Sequence, residues 1–180
     1  HQALVTAVDG LGNRTTLAIP VRIVSALAWI GPEGGRLEVT DPESRIFGAA
    51  WVIPAGALAE PTLLYTVDVH LPANPLGGFG DVHEVPAFPG WTRTGSAVSF
   101  EPPGVVFDLP TTIAVPFSLA QVAGLAIPAS TAEVFRLHPV SRAFESWPTA
   151  AVDTANGLVR APVSDLEIDG TIFAVHVQRV

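Results

Sequence analysis

The chain has 180 residues, of which 48% are hydrophobic and only 14% charged, so there is material for a sizeable core and global disorder is excluded. Cysteine and methionine are absent, which removes disulfides, thiol chemistry and cysteine-ligated metal centres. All nine basic residues are arginine and the net charge is -8; such a surface repels a phosphate backbone and argues against nucleic acid as a partner. No apolar run approaches the roughly 20 residues of a membrane-spanning helix, and no charged-then-apolar leader is present. A start at His1 leads us to expect a mature product or a piece of something longer.

Glycine and proline are frequent, 16 and 17 residues, and fall between short apolar runs, which predicts an all-β chain. Residues 2–8 and 15–24 are apolar or β-branched runs about Asp9-Gly10-Leu11-Gly12-Asn13, a hairpin that is too small to be stable alone. Residues 25–33 show no clean alternation and are expected to be a linker, with Trp29 either packing between modules or capping an exposed edge. From Gly34-Gly35 a second module begins. Strands are expected over 36–39 and 46–53, with Asp41-Pro42-Glu43-Ser44 turning the chain between them and Pro54 and Gly56 stopping the ladder.

Residues 62–71 alternate strictly, with Leu63, Tyr65, Val67 and Val69 on one face and Thr62, Leu64, Thr66, Asp68 and His70 on the other, mostly polar one. This is the pattern of a half-buried antiparallel strand. Residues 72–95 are rich in proline and glycine and without periodicity, a long loop of the kind that carries function; Phe79, Phe88 and Trp91 are its candidate binding anchors. Short strands follow over 96–100, 105–108 and 111–115, with Pro102-Pro103-Gly104 and Leu109-Pro110 as breaks. Ser118 opens a single helical turn closed by Gly124. Strands over 133–137, 143–147, 158–163 and 171–177 complete the set.

Two stretches resemble known families. The T-A-V-D-G-L-G-N-R-T arrangement at 6–15 with P-V-R-I-V at 20–24 resembles the final hairpin of bacterial immunoglobulin-like repeats, so residues 1–24 are expected to be the C-terminal strands of such a domain. Residues 34–180 resemble the ZU5 domain. The resemblance is carried by Gly34-Gly35, by Ile53-Pro54-Ala55-Gly56-Ala57-Leu58, and by S-A-V-S-F-E-P-P-G-V-V-F-D-L-P at 96–110. Further on, Glu133-Val134-Phe135-Arg136-Leu137, Trp147, Val152-Asp153 and Phe173-Ala174-Val175 continue it. It implies an antiparallel β-sandwich, for which Trp51, Phe100, Phe107, Phe135 and Trp147 would be the large core pieces. It also implies a non-enzymatic structural or protein-interaction module of a secreted or cell-surface bacterial multidomain protein, because this fold is a scaffold in unrelated settings. An intracellular scaffold role, as in ankyrins, is disfavoured by the immunoglobulin-like start.

Chemistry is sparse. Some ZU5 proteins cleave themselves at His-Phe-Ser, but the corresponding Val163-Ser164-Asp165-Leu166 lacks both the histidine and the phenylalanine that precede the nucleophile. No nucleophile elbow, P-loop or dinucleotide glycine pattern occurs, and no enzyme activity is expected. Asp68 and His70 share a strand face and are a candidate zinc pair, to which Asp81, His83 and Glu84 would have to contribute; the plainer reading is exposed polar positions. Asp9 and Asn13 are candidate calcium ligands, as are Asp41, Glu43, Asp165, Glu167 and Asp169, against the plainer reading of turn residues bonding their own backbone. Apart from calcium no cofactor is expected. The alternative function is a carbohydrate-binding accessory module of a glycan-active enzyme, for which Trp29, Trp91 and Trp147 are available to stack on sugar rings.

Overall fold

A computed structural model describes residues 2–20, 24–69, 90–138, 144–166 and 171–178. The chain is mostly β-strand, and it forms an antiparallel sandwich together with a two-stranded sheet of β1 (Gln2–Val8) and β2 (Arg14–Pro20). The strands of the sandwich are β3 (Val24–Ile30), β4 (Gly35–Glu38), β5 (Ala50–Ile53), β6 (Thr62–Val69), β7 (Trp91–Glu101), β8 (Val106–Pro116), β9 (Ala132–Leu137), β10 (Phe144–Ser146), β11 (Ala151–Asp153), β12 (Leu158–Asp165) and β13 (Thr171–Gln178). One sheet runs β10-β9-β13-β7-β6-β3 and the other β11-β12-β8-β5-β4.

Large apolar side chains from both sheets meet in the space between them. Trp51 of β5 is wholly buried and meets Phe100 of the opposite sheet edge to face at 5.4 Å and Phe107 at 5.3 Å. Its indole N–H donates to Thr111 Oγ1, whose hydroxyl in turn donates to the Val163 carbonyl, each at 2.9 Å. A tryptophan can be this deeply buried because its polar atom has that partner. Phe100 continues to Phe173, and Phe173 to Trp147, so four aromatic rings run through the core. The five large residues expected in the core are all packed, Trp147 only partly buried. Phe135 belongs to a second cluster, with Ala97, Leu137, Phe144 and Ala174.

The two glycine-proline motifs of the second module prove to be one unit. Gly34 has φ +74°, and a Cβ there would lie 2.5 Å from the Ile53 carbonyl oxygen and 2.6 Å from the Ala55 nitrogen. Only glycine allows this approach. The Gly56 N–H donates to the Pro32 carbonyl at 2.7 Å, and the Asp108 N–H donates to the Ala57 carbonyl at 3.0 Å. The 54–58 reversal therefore ties the entry of the module to β8.

Several local expectations change. The segment read as a linker contains β3, paired with β6 from Val24↔Val67 to Ile30↔Thr62; its small residues Ala26 and Ala28 pack on the core and hide the alternation. The strand expected over 46–53 shrinks to Ala50–Ile53. Before it the chain turns repeatedly, with Ile46 buried, Phe47 exposed and Gly48 at φ +82°. The two strands expected over 105–108 and 111–115 are the single strand β8, because Pro110 falls where the register with β12 skips between Val163 and Asp165. The helix α1 (Leu119–Gly124) is capped by Ser118, whose Oγ accepts the Gln121 N–H, but it runs through Gly124 and the left-handed residue is Ala126.

In β6 the two faces trade places. Leu64 and Thr66 are fully buried and look inward, whereas Leu63 and Tyr65 lie half-buried on the outer face. Counting apolar residues picked the wrong side, since one leucine and one threonine methyl suffice inside while the outer face of this sheet is itself largely covered.

Candidate functional site

The outer face of the six-stranded sheet differs from an ordinary solvated face. Ala97, Ser99 and Glu101 of β7, Ala174 and His176 of β13, and Phe135 and Leu137 of β9 are all buried there. The Ser99 hydroxyl donates to Glu101 Oε1 at 2.7 Å. His176 is 7% exposed and packed between Phe135 at 4.4 Å and Phe144 at 5.2 Å between ring centroids, with no hydrogen-bond partner on Nδ1. Burial, and then the Arg93 charge on the neighbouring strand, push its pKa down to about 4. It is a neutral packing residue at pH 7.

Beyond Tyr65 this covered face opens at the sheet's edge. Strand β3 is the last in its row, and its outward side chains Leu27 and Trp29 are 58% and 69% exposed. Across the pair they stand opposite Tyr65 and Leu63, which makes an apolar and aromatic patch of four side chains. The other three edges of the sandwich are of another kind. β10 and β11 have three residues each, and β4 has four with an Arg36–Glu38 ion pair at 2.7 Å. Short and charged edges are how sheets avoid pairing with foreign chains. β3 has seven residues and none of them is charged.

The residues singled out from sequence distribute as follows. Phe79, Phe88 and His70 lie outside the described residues, as do Asp81, His83, Glu84, Glu167 and Asp169. Trp91 is the first residue of β7 and meets Phe135 edge to face at 5.1 Å, so it packs against the outer cluster. Trp147 is likewise held, with its indole N–H donating to the Pro162 carbonyl at 2.8 Å and the Arg136 guanidinium 4.3 Å above its ring. Trp29 is the tryptophan the fold leaves exposed. Its signal in the sequence was hidden because 25–33 did not read as a strand.

Asp9 Oδ1 accepts the Leu11 and Asn13 N–H groups at 2.9 Å and Oδ2 accepts Asn13 Nδ2 at 2.7 Å. These bonds, the Asn13 side chain first, hold its carboxyl below the usual carboxylate range. Asp153 is bonded in the same way by Asn156, and Asp41 accepts the Glu43 N–H at 3.0 Å. In these turns the carboxylates serve their own backbone. Asp68 shares the inward face of Leu64 and Thr66 with one oxygen buried. Among the described residues no group of three or more histidines and carboxylates is gathered for a metal.

No protein-family model matches the chain, and no curated protein is significantly similar to it. Among the described residues no helix is long and apolar enough to cross a membrane.

Proposed function

We propose that the chain is a non-enzymatic protein-interaction module of a secreted or cell-surface multidomain protein, a ZU5-like sandwich following the end of an immunoglobulin-like domain, and that its contact is the edge of β3. The observation that carries this reading is the contrast among the four edges: three are short or charged, and the fourth is long, uncharged and apolar. An edge of that kind accepts an added strand, whose main chain completes the ladder while alternate side chains use the patch. The partner that fits is an extended segment with apolar residues at every second position, placed to meet Leu27, Trp29, Leu63 and Tyr65. The ZU5 assignment is supported by the Gly34 and 54–58 contacts, which give its two hallmark motifs a joint structural reason.

The test is a selection of linear peptides on the folded protein, followed by amide hydrogen exchange. Enriched peptides should alternate apolar and polar residues and should slow exchange along β3, and the double variant Leu27→Lys, Trp29→Lys should lose them while melting as the parent does. Protection confined to another element would discard the β3 interface. A second reading, carbohydrate binding, draws on the exposure of Trp29 beside Tyr65, since aromatic faces on a β-sheet stack on sugar rings. Binding of a neutral oligosaccharide that Trp29→Ala abolishes and Leu27→Lys spares would favour it.

A further inference from the structure

On the same sheet, β7 carries a break in its pairing with β13: Val98 faces Phe173 and Thr94 faces Val175, so three residues, Gly95, Ser96 and Ala97, oppose Ala174 alone. Gly95 has φ +80°, and a Cβ there would come within 3.1 Å of the Phe117 Cα. Its N–H donates to Gln121 Oε1 of α1 at 2.8 Å. Bulges re-aim side chains and recur beside binding sites. This one forms the floor of a cleft of about 280 Å³ lined by Arg45, Val69, Arg93, Gly95, Ser96, Ala97 and Gln121.

The lining is chemically one-sided. Two guanidinium groups face the cleft, from the turn before β5 and from β7. Gln121 has committed its carbonyl oxygen to the Gly95 N–H, so what remains for a ligand is its NH2 group, a donor. Ser96 adds a hydroxyl, Val69 and Ala97 an apolar wall, and none of the described lining residues is acidic. In a chain of net charge -8 with no lysine, a cleft with two arginines and no carboxylate runs against the rest of the composition. Burial around Arg93 draws its pKa downward with no acidic group acting to raise it, so a charge brought to it would be poorly screened by water.

We propose that this cleft is a binding site for a uronic acid residue, its carboxylate held by Arg93 and Arg45, and its ring hydroxyls met by Gln121 and Ser96. A guanidinium fork matches a planar carboxylate, and a cleft of this volume admits a sugar ring as well as its acid group, which sets a uronate above a bare anion. The site does not rest on the β3 interface, which lies at the far end of the residues that line this face.

The test is titration of the intact protein with glucuronate, glucose, acetate and an acidic peptide, followed by NMR. Glucuronate should shift the amides of residues 93–97 and of Gln121 and weaken with salt, glucose should not bind, and acetate should bind at least tenfold more weakly. Arg93→Gln and Arg45→Gln should each lower glucuronate affinity about tenfold with the melting temperature unchanged. A second readout is His176, which faces Arg93 on β7 and Glu133 on β9: a carboxylate seated on Arg93 should raise its pKa. Equal binding of glucose and glucuronate, no binding of glucuronate at tens of millimolar, an acidic peptide outcompeting it, or unchanged affinity in both arginine variants would each overturn the assignment.

Discussion

The two sheets of the sandwich share a core and differ in almost everything else. The five-stranded sheet buries one face and leaves Val52, Val106 and Leu109 exposed on the strands of the other, and its edges are short or charged. The six-stranded sheet is covered on both faces over much of its area, carries the bulge at 95–97 and ends on an apolar strand. The five-stranded sheet is built to hold and the six-stranded one to present. The difference teaches that similar alternating strands acquire opposite roles from what lies over their outer faces and beside their last strands.

The largest effect that would break this contrast is expected in the shared core. Trp51→Ala removes the ring that joins the sheets and strands the Thr111 hydroxyl, and should cost about 3–5 kcal/mol in denaturant unfolding. Next is Phe135→Ala, on the outer face of the six-stranded sheet. If that face is a true second core the loss should be about 3 kcal/mol, whereas Val106→Ala on the outer face of the other sheet should stay within about 0.5 kcal/mol. Equal costs for the two would remove the asymmetry.

A pH prediction of somewhat smaller size follows from His176. Its pKa is about 4 in the folded protein and that of a free imidazole, 6.5, when unfolded. Between those values the unfolded chain binds a proton that the folded one refuses, so acid favours unfolding. The contribution is fully present above pH 6.5 and is lost as pH falls towards 4, by at most about 3 kcal/mol. Denaturant curves taken from pH 7 to 4 should show the fall, and His176→Phe should flatten it; a parent curve as flat as the variant's would mean that the outer face is wet. The smallest effect belongs to the ion pair between Arg136 and Glu145, 2.5 Å apart and half-exposed on the glutamate side. Glu145→Gln should cost about 0.5 kcal/mol or less, and a larger loss would show β10 to be anchored electrostatically.

Much of the core was legible in the residues themselves. Trp51, Phe100, Phe107 and Phe135 sit one to a strand between turn residues, and their burial follows from size and apolarity alone. The turn aspartates were legible for a similar reason, since Asp9 and Asn13 stand four apart and bond locally. The edge strand was not. Val24–Ile30 has two inward alanines that weaken the period-two signal, and nothing local says that its partner is β6 and that no strand follows it. The inverted faces of β6 and the cleft of Arg45 and Arg93 were hidden as well, since the first depends on what covers the sheet and the second joins residues 48 positions apart.

By itself the sequence determined that this chain is all-β, where it turns, which large side chains are available for a core, and that it lacks the patterns of common catalytic sites. Those are consequences of composition and of short-range sterics, in which a residue and its few neighbours decide the outcome. Tertiary structure alone decided which face of β6 is inside, that 24–30 is a strand with an open edge, and that two arginines of an acidic protein meet over a bulge. Each of these depends on pairing between distant segments, whose order in the sheet no local preference encodes.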